Sequence, residues 1–287
     1  MIKNGKTSKA KFSEEETQDI IQSYLSGESS VQIGKRFGIS HKPILKLLKE
    51  NEVYVDKLAR RFHRQYALNE DYFDNIDTQD KAYILGFLMA DGNNNPDKQT
   101  ISMALQEEDK YILEEIRTKI GSEKPLDFID YSNKHDFGYT YKNQWRLNLF
   151  SKKFCEVLAE KGMMPKKSTY LQFPTCIPNK LLSHFVRGYF DGNGSISHKN
   201  GKHLSISIVS TFKFNNELSN ILKNKFNINV KLNESRNHNG ITYDLNINQY
   251  NDSLLFLDWI YKDAKMFLIR KYDKYHNYLI ANNLLSA

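Results

Sequence analysis

Cysteine is scarce: Cys155 and Cys176 are the only two in 287 residues. Two isolated thiols match no zinc-finger spacing, and they read as buried free thiols of a reducing cytoplasm. The eight histidines do not supply a substitute. None forms an H-x-x-x-H pair or sits in a His/Asp/Glu cluster, which excludes the familiar zinc sites. No run approaches the ~18 to 20 apolar residues of a membrane span. The opening MIKNGKTSKAKFSEEE lacks the apolar stretch of a secretory signal and reads as a basic tail. A cytoplasmic location without membrane attachment is expected. A phosphate-binding loop, a dinucleotide fingerprint and a G-x-S-x-G elbow are all missing, so the chemistry must be sought elsewhere.

What is present is positive charge, aromatic mass and a repeat. Lysine and arginine number 41 against 34 acidic residues, a net charge of +7. That balance favours a polyanionic partner. With 40% hydrophobic and 13% aromatic residues, the chain can bury a core.

Residues 12–52, after a flexible tail over 1–11, read as three short helices. Ser13 is a candidate N-cap ahead of an acidic first turn. Ile20, Ile21 and Tyr24 follow at helical spacing. Ser40 is placed to cap a third helix whose apolar face is Ile44, Leu47 and Leu48. The pattern resembles a helix-turn-helix module. In that reading Ser40, His41, Lys42 and Lys46 face DNA from the third helix. Residues 53–76 read as a basic linker in which Arg60, Arg61 and Arg64 would meet phosphates.

From residue 77 onward the chain repeats itself. An apolar helix ends in Ala-Asp-Gly at 90–92, and a second ends in Asp-Gly-Asn-Gly at 191–194. Each is followed by two strands, a helix, two strands and a helix. Ile101, Met103, Leu113 and Ile116 recur as Ile206, Ile208, Leu218 and Ile221, and Leu147-Asn148-Leu149 recurs as Leu245-Asn246-Ile247. The expected fold class is α+β: a duplicated αββαββα core with a pseudo-two-fold axis and antiparallel sheets. Repeat 1 spans 77–164, repeat 2 spans 178–287, and the proline-bearing tract 165–177 links them.

The doubled helix end carries the chemistry. Gly86 and Ala90 lie four apart, as do Gly188 and Gly192, so each helix presents a stripe of small residues on which two backbones can meet. Asp91 then sits at a helix C-terminus, where the dipole opposes a carboxylate. A hard divalent cation, Mg²⁺ or Mn²⁺, held by that carboxylate and backbone carbonyls at Ala90 and Gly192, relieves the conflict. Beside a phosphodiester such an ion activates water and stabilises the leaving oxygen.

Both stretches resemble the LAGLIDADG motif of the homing endonucleases: Ile84 to Gly92 in the first copy, Val186 to Gly194 in the second. The resemblance covers roughly 71–283, including the runs KGMMPKKS and WIYKDAKMFLIRKY. It implies a saddle of strands in the major groove and a metal-binding acid at the eighth motif position. Asp91 holds that position in the first copy. Asn193 holds it in the second and departs from the pattern, offering the metal and the catalytic site a neutral carbonyl oxygen in place of a charge, while Asp191 falls at the sixth position. The family also uses a basic residue near the cleaved phosphates, for which Lys152 or Lys153 is the candidate. Groove contacts are expected from Asn93, Asn94 and Lys98, from Ser195, Ser197, Lys199 and Lys202, and from Ser102, Gln106, Tyr139, Tyr141, Lys231, Asn233, Arg236, His238 and Asn246. The implied activity is metal-dependent cutting of a long, asymmetric double-stranded DNA site by a monomer, in an intron or phage setting. Three accounts of Asn193 compete: an inactivated variant, a nickase or slow enzyme, and a DNA-binding regulator or intron maturase that has lost cleavage.

Overall fold

The computed structural model describes residues 12–26, 28–53, 66–132, 135–136, 139–199, 203–237 and 240–284. The chain divides into two compact units, 1–67 and 68–287.

The first unit contains α1 (Glu14–Leu25), α2 (Ser30–Arg36) and α3 (His41–Glu50). Ser13 caps α1 through a reciprocal box with Glu16, and Ser29 does the same for α2 with Gln32. Ser40 takes the extended N-cap backbone of α3, but its hydroxyl makes no capping bond. Ile20, Ile33, Ile44, Leu47 and Leu48 form the core. Arg36 binds Asp19 (2.8 Å) and Glu28 (3.3 Å), latching α2 to α1.

The second unit carries the duplication. Repeat 1 runs α4 (Gln79–Asp91), β1 (Asn93–Asn95), β2 (Thr100–Gln106), α5 (Lys110–Lys119), β3 (Asp127–Ile129), the short ribbon β4 (His135–Asp136) and β5 (Tyr139–Thr140), β6 (Gln144–Phe150) and α6 (Lys152–Glu160). Repeat 2 runs α7 (Leu182–Asn193), β7 (Gly194–Lys199), β8 (His203–Ser210), α8 (Phe212–Phe226), β9 (Lys231–Asn237), β10 (Gly240–Ile247) and α9 (Tyr250–Tyr261). The two sheets have the same order, β1-β2-β6-β3 and β7-β8-β10-β9, and all their pairings are antiparallel. The ribbon β4–β5 is an insertion in repeat 1. A further helix, α10 (Ile269–Ala281), follows repeat 2 and has no counterpart in the repeated order.

Alternation divides each sheet into two faces. Ile101, Met103, Leu147 and Leu149 point inward in repeat 1, and Ile206, Ile208, Leu245 and Ile247 do so in repeat 2. Of the twelve residues at recurring apolar positions, only Ile221 is not buried; its neighbour Leu222 is. Tyr72, Phe73 and Ile76, from the tract read as linker, join the main core instead.

The trailing segments exchange between repeats. Thr211, at the β8–α8 junction, donates to the carbonyl of Leu171 (2.5 Å), beyond α6. Tyr111, just past the β2–α5 junction, donates to the carbonyl of Phe267 (3.2 Å), beyond α9, and Arg270 pairs with Asp109 at 2.9 Å. Each repeat thus braces the strand-to-helix corner of the other.

Candidate active site at the paired helix tips

Helices α4 and α7 pack along the small-residue stripes. A methyl group on Gly86 would collide with the carbonyl oxygen of Phe185, and one on Gly188 with that of Tyr83. The contacts are reciprocal, and Tyr189 N and Phe87 N each lie 2.9 Å from the hypothetical atom. Only glycine permits backbone against backbone here. This close approach explains residues that would otherwise cost a helix interior about 1 kcal/mol each relative to alanine.

The packing brings the two motif ends together. A methyl group built on Gly192 would lie 3.2 Å from Asp91 Oδ2 and would overlap the Ala90 side chain. Asp91 is therefore beside the end of α7, one residue from Asn193. Its surface is open to solvent. Among the described residues its carboxylate has no hydrogen-bond or ion-pair partner. Burial on its protein side pushes its pKa up, opposed by Lys271, Lys167 and Arg270 in that order.

Lys167 and Lys271 are the basic residues that sequence reasoning missed. Lys167 follows α6 and donates one hydrogen bond, to the carbonyl of Ala90 (2.8 Å). Lys271 is on α10 and donates three, to the carbonyls of Phe190, Asp191 and Gly194 (2.6–2.7 Å). Each ammonium closes a helix C-terminus, where the orphan carbonyls and the dipole favour a cation. Burial lowers both pKa values to about 8. The signal was present: both lysines lie in the runs KGMMPKKS and WIYKDAKMFLIRKY, already noted for their resemblance. Lys152, the earlier choice, is exposed and pairs with Glu156 on its own helix at 3.2 Å. Lys153 pairs with Asp71 and Asp74. Neither is among the charges acting on Asp91.

Asn193 is tied down where Asp91 is free. Its amide donates to the Tyr189 hydroxyl (3.2 Å), which donates to Ser210 (2.7 Å). Asp191, two residues earlier, is fully buried. It accepts from Tyr83 OH (2.9 Å), Tyr261 OH (3.1 Å) and the Leu268 backbone (2.8 Å). Burial pushes its pKa up to about 6, with Lys271 the main opposing charge. Arg187 is also buried, and it donates to the carbonyls of Met266 and Ile260, both at 2.8 Å. These bonds fasten α7 and the α9–α10 connection into one block. Among the described residues no group of three or more His, Cys, Asp or Glu could hold a metal ion. The oxygens at the tips are the free Asp91 carboxylate, the Gly192 backbone carbonyl and the Ala90 carbonyl, which already accepts from Lys167. That set fits a hard ion whose remaining ligands come from water and substrate phosphate.

The register assigns the outward faces. In repeat 1 these carry Asn93, Ser102, Gln106, Gln144, Arg146 and Asn148, and in repeat 2 Ser195, Ser197, Ser205, Ser207, Lys231, Asn233, Asp244 and Asn246. Lys98 is exposed in the β1–β2 turn, and Tyr141 is exposed before β6. Two expectations are corrected. Asn94 is buried on the opposite side of β1, donating to the carbonyls of Cys155 and Met163, both at 2.9 Å. Arg236 alternates with Asn233 and Ser235 and pairs with Glu234 at 2.7 Å, so it lies off the outward row. Arg60, Arg61, Arg64, Lys202 and His238 lie outside the described residues. For Tyr139 and Lys199 the backbone alone is described, in β5 and β7. In the first unit Ser40, His41, Lys42 and Lys46 are exposed, and Lys46 faces Glu50 at 3.6 Å.

Residues 180–258 match the family described as LAGLIDADG-like domain. Comparison with curated proteins finds no match. Among solved structures, the chain is similar to the homing endonuclease I-WcaI bound to its DNA recognition sequence: 17% identity, 72% of this chain and 91% of that one, TM-score 0.47. It is similar to I-DmoI in complex with DNA and Ca, at 15% identity over 72% and 99% of the chains, TM-score 0.40. It is also similar to the N-terminal LAGLIDADG domain of DUF199/WhiA, at 19% identity over 72% and 93%, TM-score 0.44. The family match falls on the second repeat, and the first repeats its element order.

Proposed function

We propose that the chain is a site-specific DNA endonuclease of the LAGLIDADG kind with one complete carboxylate centre, cutting one strand in preference to the other. One observation carries the reading: Asp91 stands unpartnered at the meeting of two helix tips, while the equivalent Asn193 is neutral and tied to Tyr189. Asp91, with the Gly192 backbone carbonyl and an Ala90 carbonyl shared with Lys167, would hold Mg²⁺. When bound, the ion supplies Lewis-acid activation of water and of the leaving oxygen. Lys167 and Lys271 hold the tips in place and add positive charge beside the scissile phosphates. The polar outward faces of the two sheets lie against the major groove, where donor and acceptor patterns distinguish all four base pairs. The unlike faces favour an asymmetric site. In the first unit, α3 presents Ser40, His41, Lys42 and Lys46 to a further stretch of duplex, as a helix-turn-helix would.

A second reading, favoured by Asn193 itself, is a regulator or maturase that binds nucleic acid without cutting. A strand-resolved cleavage assay in Mg²⁺ on a duplex selected by the full chain separates the two. The endonuclease reading expects one strand nicked by the wild type, none by Asp91→Asn, and both strands cut faster by Asn193→Asp. A selected duplex left intact by both the wild type and Asn193→Asp overturns it and leaves the binding protein.

A further inference from the structure

The two outward faces carry opposite charges at one pair of equivalent positions. Leu147 and Leu245 are equivalent positions, each paired with the equivalent inward residue, Met103 and Ile208. One residue earlier the alternation puts Arg146 on the outward face of repeat 1 and Asp244 on that of repeat 2. Both strands are central in their sheets. Arg146 lies between Ala104 and Asp127, and Asp244 between Val209 and Asn233. The flanking strands give each only a small or short side chain for a neighbour.

Neither charged group has a bonded partner among the described residues, although the Arg146 charge helps hold the Asp127 carboxyl below its usual range. Arg146 makes no hydrogen bond or ion pair among the described residues. Asp127, the acid across from it, is engaged by Lys124 (2.7 Å) and Asn148 (2.7 Å). The Asp244 carboxylate likewise has no partner among the described residues; only its backbone carbonyl is engaged, by Asn246 (3.1 Å). A guanidinium is donor only and matches the two acceptors of guanine, O6 and N7. A carboxylate is acceptor only and matches the N4 amine of cytosine, while guanine's acceptors and the phosphates repel it. Asp244 is therefore no backbone contact.

We infer that Arg146 reads a guanine and Asp244 a cytosine at base pairs related by the pseudo-two-fold axis, so that the target departs from a palindrome at that pair. This rests on the DNA-reading role proposed above. A true palindrome would offer both repeats the same base pair in the same orientation, so two side chains at equivalent positions would face the same base, and one of them would meet a pattern it cannot satisfy. The charge reversal thus orients the asymmetric protein on its site.

The test is a selection from random duplexes with the full chain, followed by affinity measurements at several salt concentrations. The wild type should enrich a site with guanine at one position and cytosine at its mirror on the corresponding strand. Arg146→Gln should move the first position toward adenine, with discrimination falling about 5- to 150-fold, and leave other positions unchanged. Asp244→Arg should move the mirror position to guanine and bring the site closer to a palindrome. If Arg146→Ala weakens all duplexes equally and lowers the salt slope by about 1, the residue is a phosphate contact and the inference falls. A wild-type site whose base preferences survive both substitutions also removes it, with the DNA-reading role intact. Failure of the wild type to enrich any duplex removes both.

Discussion

At the end of α4 a carboxylate stands free beside an ammonium that makes one hydrogen bond. At the end of α7 an amide is tied down beside an ammonium that makes three. The first tip leaves its carboxylate without a bonded partner among the described residues. The second has spent its polar groups internally: Lys271 on three carbonyls, Asp191 on two tyrosines and a backbone amide. The repeat carries two copies of one device, and the copies differ: one end has a free carboxylate, and the other has its polar groups bonded internally. Both still depend on the same helix contact.

That shared contact gives the largest expected effect on stability. Gly86→Ala and Gly188→Ala each force a methyl into a backbone carbonyl of the partner helix, which no rotamer can avoid. Each should cost more than about 4 kcal/mol in urea unfolding, among the most severe single substitutions. The comparison predicts near-equal losses, because the contacts are reciprocal. A tolerated Gly86→Ala beside a ruinous Gly188→Ala would break the pseudo-two-fold.

The closing lysines come next, and here the halves should part. Lys271→Met removes three hydrogen bonds and the main charge opposing burial of Asp191. Losing one partner of a buried ionic arrangement costs roughly 3 to 5 kcal/mol. Lys167→Met removes one hydrogen bond at a half-buried site, about 1 kcal/mol. Equal losses at pH 7 would mean that the second tip is no more structural than the first.

Much of this was legible in the chain, for physical reasons. A small residue every fourth position announces a close helix contact, and period-two alternation announces half-buried strands. Hence α4, α7, both sheets and the meeting of positions 91 and 193 were readable. The closing lysines were not. Lys167 follows an irregular tract and Lys271 is on a helix outside the repeated order, so no periodicity places either near Asp91. Position in the hairpin suggested Asn94 as a contact, but a strand residue's face is set by register, and Asn94 falls on the inward side. Arg146 escaped for the converse reason: its strand was recognised, while the outward set was drawn from other strands.

The smallest effect is a pH dependence, and it probes the two tips together. The buried lysines titrate near 8 in the folded chain, against 10.5 for free lysine. Between those values the unfolded chain binds more protons than the native one, so their contribution to stability rises with pH across this window. Asp191 acts on the other side. Its folded pKa is about 6 against 3.8, so the native state binds more protons between those values and stability falls as pH rises through them. Burial thus makes neutral pH the least favourable point for this block. Removing Lys271 should abolish its share of the alkaline gain, on the order of 2 kcal/mol between pH 7 and 10. The same substitution strips Asp191 of its chief opposing charge, so the acid-side decline should extend above pH 6. Urea unfolding of the wild type and Lys271→Met at half-unit steps from pH 5 to 10 measures both slopes. Lys167→Met should flatten the alkaline side and change the acid side only through Asp91, whose raised pKa it opposes, whereas Lys271→Met acts on Asp91 and Asp191 together and should change the acid side more. If both variants change both slopes alike, the two ammonium groups serve one shared site, and the division into a reactive tip and a structural tip fails.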